Sequence, residues 1–166
     1  MRILGIDPGS RITGYGVIES DGQASRHLAS GAIRVEGENL PERLGCIFRE
    51  VSALIEEHRP DQMAIENVFV SQNAASALKL GQARGAAIVA GVRAGLAVAE
   101  YSPREVKLAI VGRGGADKTQ VQHMVKVLLN LQGRLQADSA DALGIALCHA
   151  HTGLSGVAAA LRGVRA

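Results

Sequence analysis

From residue 62 onward the chain alternates strand-length apolar runs with helical stretches, and this alternation most constrains the fold. Residues 62–70 (QMAIENVFV) read as a strand, 73–94 as an Ala- and Gly-rich helix, and 96–101 as another strand. Two strands joined by a helix lie parallel in one sheet, with a right-handed crossover. Upstream, residues 2–7 and 13–19 read as strands joined by Pro8-Gly9-Ser10. Asp21-Gly22 is a hairpin signal leading into a third strand at 26–35. A helix between Pro41 and Pro60 presents Leu44, Ile47, Phe48, Val51, Leu54 and Ile55 as one stripe. Two further helices start near Asp117, where Asp117 and Gln120 resemble a capping box, and near Asp138, the second running to about His149. The expected fold is α/β: a mixed five-stranded sheet in the order 3-2-1-4-5, strand 2 antiparallel, flanked by helices. Strands 1 and 4 are then neighbours at its centre.

The chain's 166 residues suit one domain, expected at 1–152, with the Gly/Ala-rich 153–166 as a flexible tail. Aromatic residues make up 2% of the chain, so the core must be aliphatic. Gly81 and Gly85 are spaced to let another element approach the 73–94 helix closely. Cys46 and Cys148 belong to no metal-ligand spacing, and two thiols without a signal peptide suggest a reducing, cytoplasmic setting. The most apolar stretch, 85–99, contains Arg93 and is too short to span a bilayer, so no membrane is expected. Charge is uneven: residues 36–66 hold eight acids and three bases, and 67–137 hold nine bases and three acids. A basic second half can form a polyanion-binding face or a scattered solvated surface.

Asp7 and Glu66 each interrupt an apolar run expected at the centre of the sheet, where an unpaired charge is costly. Asp138 and Asp141 are three apart and share one face of a helix. If that helix crosses strands 1 and 4, the carboxylates converge and repel unless cations sit among them, which favours hard ions such as Mg²⁺ or Mn²⁺. The same residues admit local readings: Asp7 as a turn residue before Pro-Gly, Asp138 and Asp141 as an N-cap and its N3 partner. Glu66 has no turn chemistry beside it. The stretch 112–119 (GRGGADKT) nearly matches a phosphate-binding loop, but Asp117 stands where glycine is required. Lys118 follows at a helix start, able to meet a nucleic-acid phosphate. Phe69, one of two phenylalanines, is either a stacking group at a strand exit or a core residue. The run 148–151 (CHAH) crowds one helix end and reads as structural rather than as a metal site.

Three blocks, GIDPGSRITGYGV, AIENVFVSQNAASALKLGQARG and QADSADALGIALCHAH, resemble the RuvC family of Holliday junction resolvases over residues 1–151. The resemblance implies a ribonuclease H-like fold and a homodimeric, divalent-metal-dependent endonuclease making symmetric paired nicks in four-way junction DNA. It implies that Asp7, Glu66, Asp138 and Asp141 are the acidic metal ligands, holding two Mg²⁺ per subunit with Mn²⁺ able to substitute. It places Phe69 against junction bases and Lys107 and Lys118 near the active site, where Lys118 could stabilise charge on the scissile phosphate or help position water. His123, just over a turn beyond Lys118, is a further residue that could face the site. A RuvA–RuvB branch-migration complex is the implied partner. The residues leave two rivals: a non-catalytic junction-binding protein, and an actin-like ATPase, for which the chain is too short.

Overall fold

The computed structural model describes residues 1–67 and 73–163, with side chains to Gly153. Three strands, β1 (Arg2–Asp7), β2 (Ile12–Ser20) and β3 (Ser25–Arg34), form an antiparallel meander. Helix α1 (Leu40–His58) leads to β4 (Gln62–Glu66), and α2 (Ala74–Arg93) leads to β5 (Ala97–Tyr101). β4 lies parallel to β1 on one side and to β5 on the other, so the sheet order is β3-β2-β1-β4-β5. Three helices follow: α3 (Pro103–Val111), α4 (Lys118–Leu128) and α5 (Ala137–Gly163).

The sheet separates two aliphatic layers. Leu4, Ile6, Val17, Met63 and Ile65 pack with α1 and α2 on one face. Ile3, Ile18 and Ala64 pack with α3, α4 and α5 on the other. Consecutive residues of a strand point to opposite faces, so β1 and β4 are buried on both sides and read as continuous apolar runs. The strand order and the mixed direction agree with the sequence. Among the described residues, no helix is long and apolar enough to cross a membrane.

Four expectations are corrected. The sequence reading omitted α3, although Ser102 and Glu105 form a full capping box and Pro103 occupies the first turn. The signal was present but short, and it was absorbed into the Gly-rich loop that follows. β4 ends at Glu66 rather than running to residue 70, and 68–70 lie outside the described residues. α5 continues to Gly163, past the expected end near His149, so 153–163 extends the helix. That stretch has no proline and a run of alanines, the best helix former. Finally, among the described residues a Cβ at Gly81 or Gly85 would meet nothing within 4 Å, so neither glycine packs closely against them. The packed face of α2 is instead Ala83, Ala87, Ala90 and Gly91, the last against Met63 and Val98.

Candidate active site

Asp7 ends β1 and Glu66 ends β4, one step beyond the paired Ile6 and Ile65 of two parallel neighbours. Alternation along each strand fixes where they point. Ile3 and Ala64 face α5 while Ile6 and Ile65 face α1 and α2, so Asp7 and Glu66 also emerge on the α5 side. There the first turn of α5 carries Asp138, with Asp141 three residues on. All four carboxylates are half-buried.

Glycines set how close α5 comes. Gly14 pairs with Asp7 across β1 and β2. A Cβ at Gly14 would lie 2.2 Å from the Asp138 carbonyl oxygen, and one at Gly5 would lie 2.2 Å from that of Ala142. No side chain fits at either place, so the helix backbone lies directly on the sheet backbone. The turn ahead of Gly14 is tied by Thr13, fully buried, whose hydroxyl donates to the Gly9 carbonyl at 3.2 Å and accepts from the Gly9 N–H at 3.3 Å.

The carboxylates feel one another. Burial, then the charges of Glu66 and Asp141, push the Asp7 carboxyl up to about 7; Asp138 adds to this and Lys118 opposes it. Burial and Asp141 also push Glu66 up, against Lys118 and Lys107. Lys118, at the start of α4, donates to Asp141 Oδ2 at 2.6 Å, and its ammonium is held above its ordinary range chiefly by that bond. Asp117 is the N-cap of α4 in a capping box with Gln120, which explains why the Gly-rich loop is not a phosphate loop.

Among the described residues, no three acidic, histidine or cysteine side chains are gathered into a ready metal cage. The donor set nonetheless fits hard divalent cations. It offers only oxygen, the neighbouring acids raise the proton affinity of Asp7 and of Glu66, and a cation between them would relieve that repulsion.

The structure also shows supports the sequence reading missed. Arg84 of α2 donates from Nε to the Glu66 carbonyl at 3.0 Å and is ion-paired to Glu100 of β5. It thereby holds the strand exit that carries Glu66. Sequence alone offered no signal for this, because three separate elements make the contact. His123 is exposed on α4 and is not among the charges acting on Asp7 or Glu66. Phe69 lies outside the described residues. In the 148–151 run, His149 is buried between the Tyr101 hydroxyl at 2.7 Å and Gln62 Oε1 at 2.5 Å, and burial pushes the Cys148 thiol up to about 12. Both serve the core.

The family model described as "Crossover junction endodeoxyribonuclease RuvC" matches residues 3–149. The protein of that name from Marinobacter nauticus is 62% identical over 149 residues, covering 90% of this chain and 85% of its own. That from Hahella chejuensis is 58% identical over 152 residues, covering 92% and 88%. Among solved structures, Thermus thermophilus RuvC in complex with Holliday junction substrate superposes with a TM-score of 0.88 at 36% identity, covering 94% of this chain and 96% of that one. Yeast mitochondrial Ydc2, at 14% identity and a TM-score of 0.67, shares the fold. A sheet of this order, with acidic residues ending its two central strands and facing the helix laid across them, defines a ribonuclease H-like α/β protein. Within that class, the chain belongs to the RuvC family.

Proposed function

We infer that this protein is a crossover junction endodeoxyribonuclease, hydrolysing phosphodiester bonds at four-way (Holliday) junctions in homologous recombination and DNA repair. The observation that carries the reading is the carboxylate cluster formed by Asp7 and Glu66 under Asp138 and Asp141, with Lys118 bonded into it, in a chain matched to the family over residues 3–149.

Asp7, Glu66, Asp138 and Asp141 would hold a pair of Mg²⁺ ions, with Mn²⁺ able to substitute. Such ions, when bound, activate a water and neutralise the leaving oxygen of a phosphodiester. The remaining work falls to the chain's own residues. Lys118, bonded to Asp141 here, would be free to turn its ammonium to the scissile phosphate when Asp141 serves as a ligand, and Lys107 adds to the positive field beside Glu66. Phe69 meets the junction bases three residues beyond Glu66, as the family resemblance implies.

A junction offers two equivalent scissile sites related by a two-fold axis, so a C2 homodimer matches its symmetry. Helix α2 supports such an interface: Leu78, Val89 and Val92 are 64%, 50% and 59% exposed, and Gly81 and Gly85 leave open space beside them. Work in the cytoplasm beside a RuvA–RuvB complex follows from the family.

The test is cleavage of a synthetic four-way junction and of a linear duplex, each with and without Mg²⁺. Paired symmetric nicks are expected in the junction with metal alone. Tight junction binding without cutting under any divalent ion would leave a non-catalytic binding protein instead. Within the same assay, Phe69→Ala is expected to slow junction cutting by about tenfold while overall DNA affinity changes by less than about threefold. Equal loss of both, or a lowered melting temperature, would return Phe69 to the core.

A further inference from the structure

Beside the carboxylate cluster lies an open cleft of about 870 Å³, bounded by the β2–β3 edge, α4 and the start of α5. Ile12, Ala32 and Arg34 line one side, Gln122 and Arg134 the other, and Asp138 forms the wall shared with the cluster. The cleft continues the site by construction. Gln122 is four residues past Lys118 on α4, and Asp138 is three before Asp141 on α5. Each helix therefore carries its site-facing surface into the cleft after about one turn, roughly 5.4 Å. That step matches one to two nucleotides of a strand rising about 3.4 Å each.

Its chemistry is that of a phosphate seat. Arg34 and Arg134 are both exposed, and among the described residues neither guanidinium has a carboxylate partner. Asp138 is the single acid on the lining, at the boundary with the cluster. Guanidinium groups match phosphate oxygens with paired donors, and Gln122 adds an amide. Ile12, 43% exposed, supplies the apolar surface that the face of a deoxyribose requires.

We propose that this cleft binds the cleaved DNA strand one to two nucleotides from the cut, with Arg34 and Arg134 neutralising a backbone phosphodiester there. The proposal rests on the junction-nuclease reading and adds to it a binding site beside the carboxylates, sharing Asp138 with them and using neither Lys107, Lys118 nor Phe69.

Single-turnover cleavage of a four-way junction in Mg²⁺, titrated with enzyme at several salt concentrations, tests it. Arg34→Gln and Arg134→Gln are each expected to raise the half-saturating enzyme concentration by about tenfold near physiological salt. The double variant should reduce the log–log salt slope by about 0.9 and each single variant by part of that, while the saturating rate stays within about threefold. Arg49→Gln, an exposed charge on α1 across the sheet, should change none of these. A neutral methylphosphonate placed one or two nucleotides from the cut should weaken the wild type equally, yet add nothing in the double variant. An unchanged salt slope, or a methylphosphonate penalty that persists in full in the double variant, would overturn the proposal while leaving the nuclease reading intact. Failure of the wild type to cut any junction would instead overturn the reading beneath it.

Discussion

Asp7→Asn is expected to reduce junction cleavage by at least about three orders of magnitude while junction binding stays within a few-fold of wild type. Asp7 sits at the centre of the cluster, where Glu66, Asp141 and Asp138 all act on it. An amide keeps the shape but loses the charge that would hold a cation, and the remaining carboxylates still point at the same place. Cleavage of a synthetic junction in Mg²⁺ beside a gel-shift assay measures both quantities, and a variant that still cuts would sink the site assignment. The same substitution has an opposite effect on the metal-free fold. The Asp7 carboxyl is raised from 3.8 to about 7 on folding, first by burial and then by its acidic neighbours. A raised carboxyl makes the folded state hold a proton that the unfolded chain has lost, so metal-free stability falls as pH rises from about 4 to about 7. At pH 8 the full cost is present. It is at most about 4 kcal/mol from the shift and about 2 kcal/mol once solvent screening is allowed for. Asp7→Asn should therefore melt about 5 °C higher than wild type in EDTA at pH 8, with the gap closing toward pH 4. Added Mg²⁺ should raise the wild type more than the variant. A variant no more stable than wild type in EDTA would show that burial and the acidic neighbours do not raise the Asp7 carboxyl.

Gly14→Ala is expected to cost about 2–3 kcal/mol of stability and about 100-fold in cleavage, from one added methyl group. Its Cβ would lie 2.2 Å from the Asp138 carbonyl oxygen and 2.7 Å from the carbonyl carbon, which are backbone atoms that cannot rotate away. The start of α5 must lift by roughly 1 Å, and Asp138 and Asp141 lift with it. Overpacking of this kind costs a few kcal/mol, and a displacement of about 1 Å in a catalytic group can cost about 100-fold in rate. Gly45→Ala is the control. It lies in α1, its Cβ would meet only Arg49 Nη1 at 3.4 Å, and it should be neutral or stabilise by up to about 1 kcal/mol. Thermal melting and the cleavage assay separate the two glycines, and equal behaviour would refute the close seat of the helix.

Much of the architecture is legible in the sequence. The hairpin turn at Asp21-Gly22, the stripe from Leu44 to Ile55 and the strand–helix–strand run were enough to order all five sheet strands, because period-two and period-3.6 patterns are local and strong. The acids were equally visible, since a charge that breaks a buried run is conspicuous in one dimension. Helix α3 was overlooked although Ser102 and Glu105 bracket its start, because nine residues carry too little periodicity to stand out. The end of α5 is hidden in the sequence because a Gly- and Ala-rich composition suits a tail as well as a helix, and no proline interrupts the helix through Gly163.

The sequence by itself determined the order of the strands and that Asp7 and Glu66 each break an apolar run in one of the two central ones. A charge inside a buried run is conspicuous whatever lies opposite it. Only the tertiary structure decided what meets them there. Gly5 and Gly14 seat α5 against the sheet backbone, Lys118 closes on Asp141, Arg84 reaches the Glu66 carbonyl, and Arg34 comes to face Arg134 across an open cleft. Each of these contacts joins residues far apart in the chain. Their distances depend on how deeply a helix settles on a sheet, and no local pattern of residues encodes that depth.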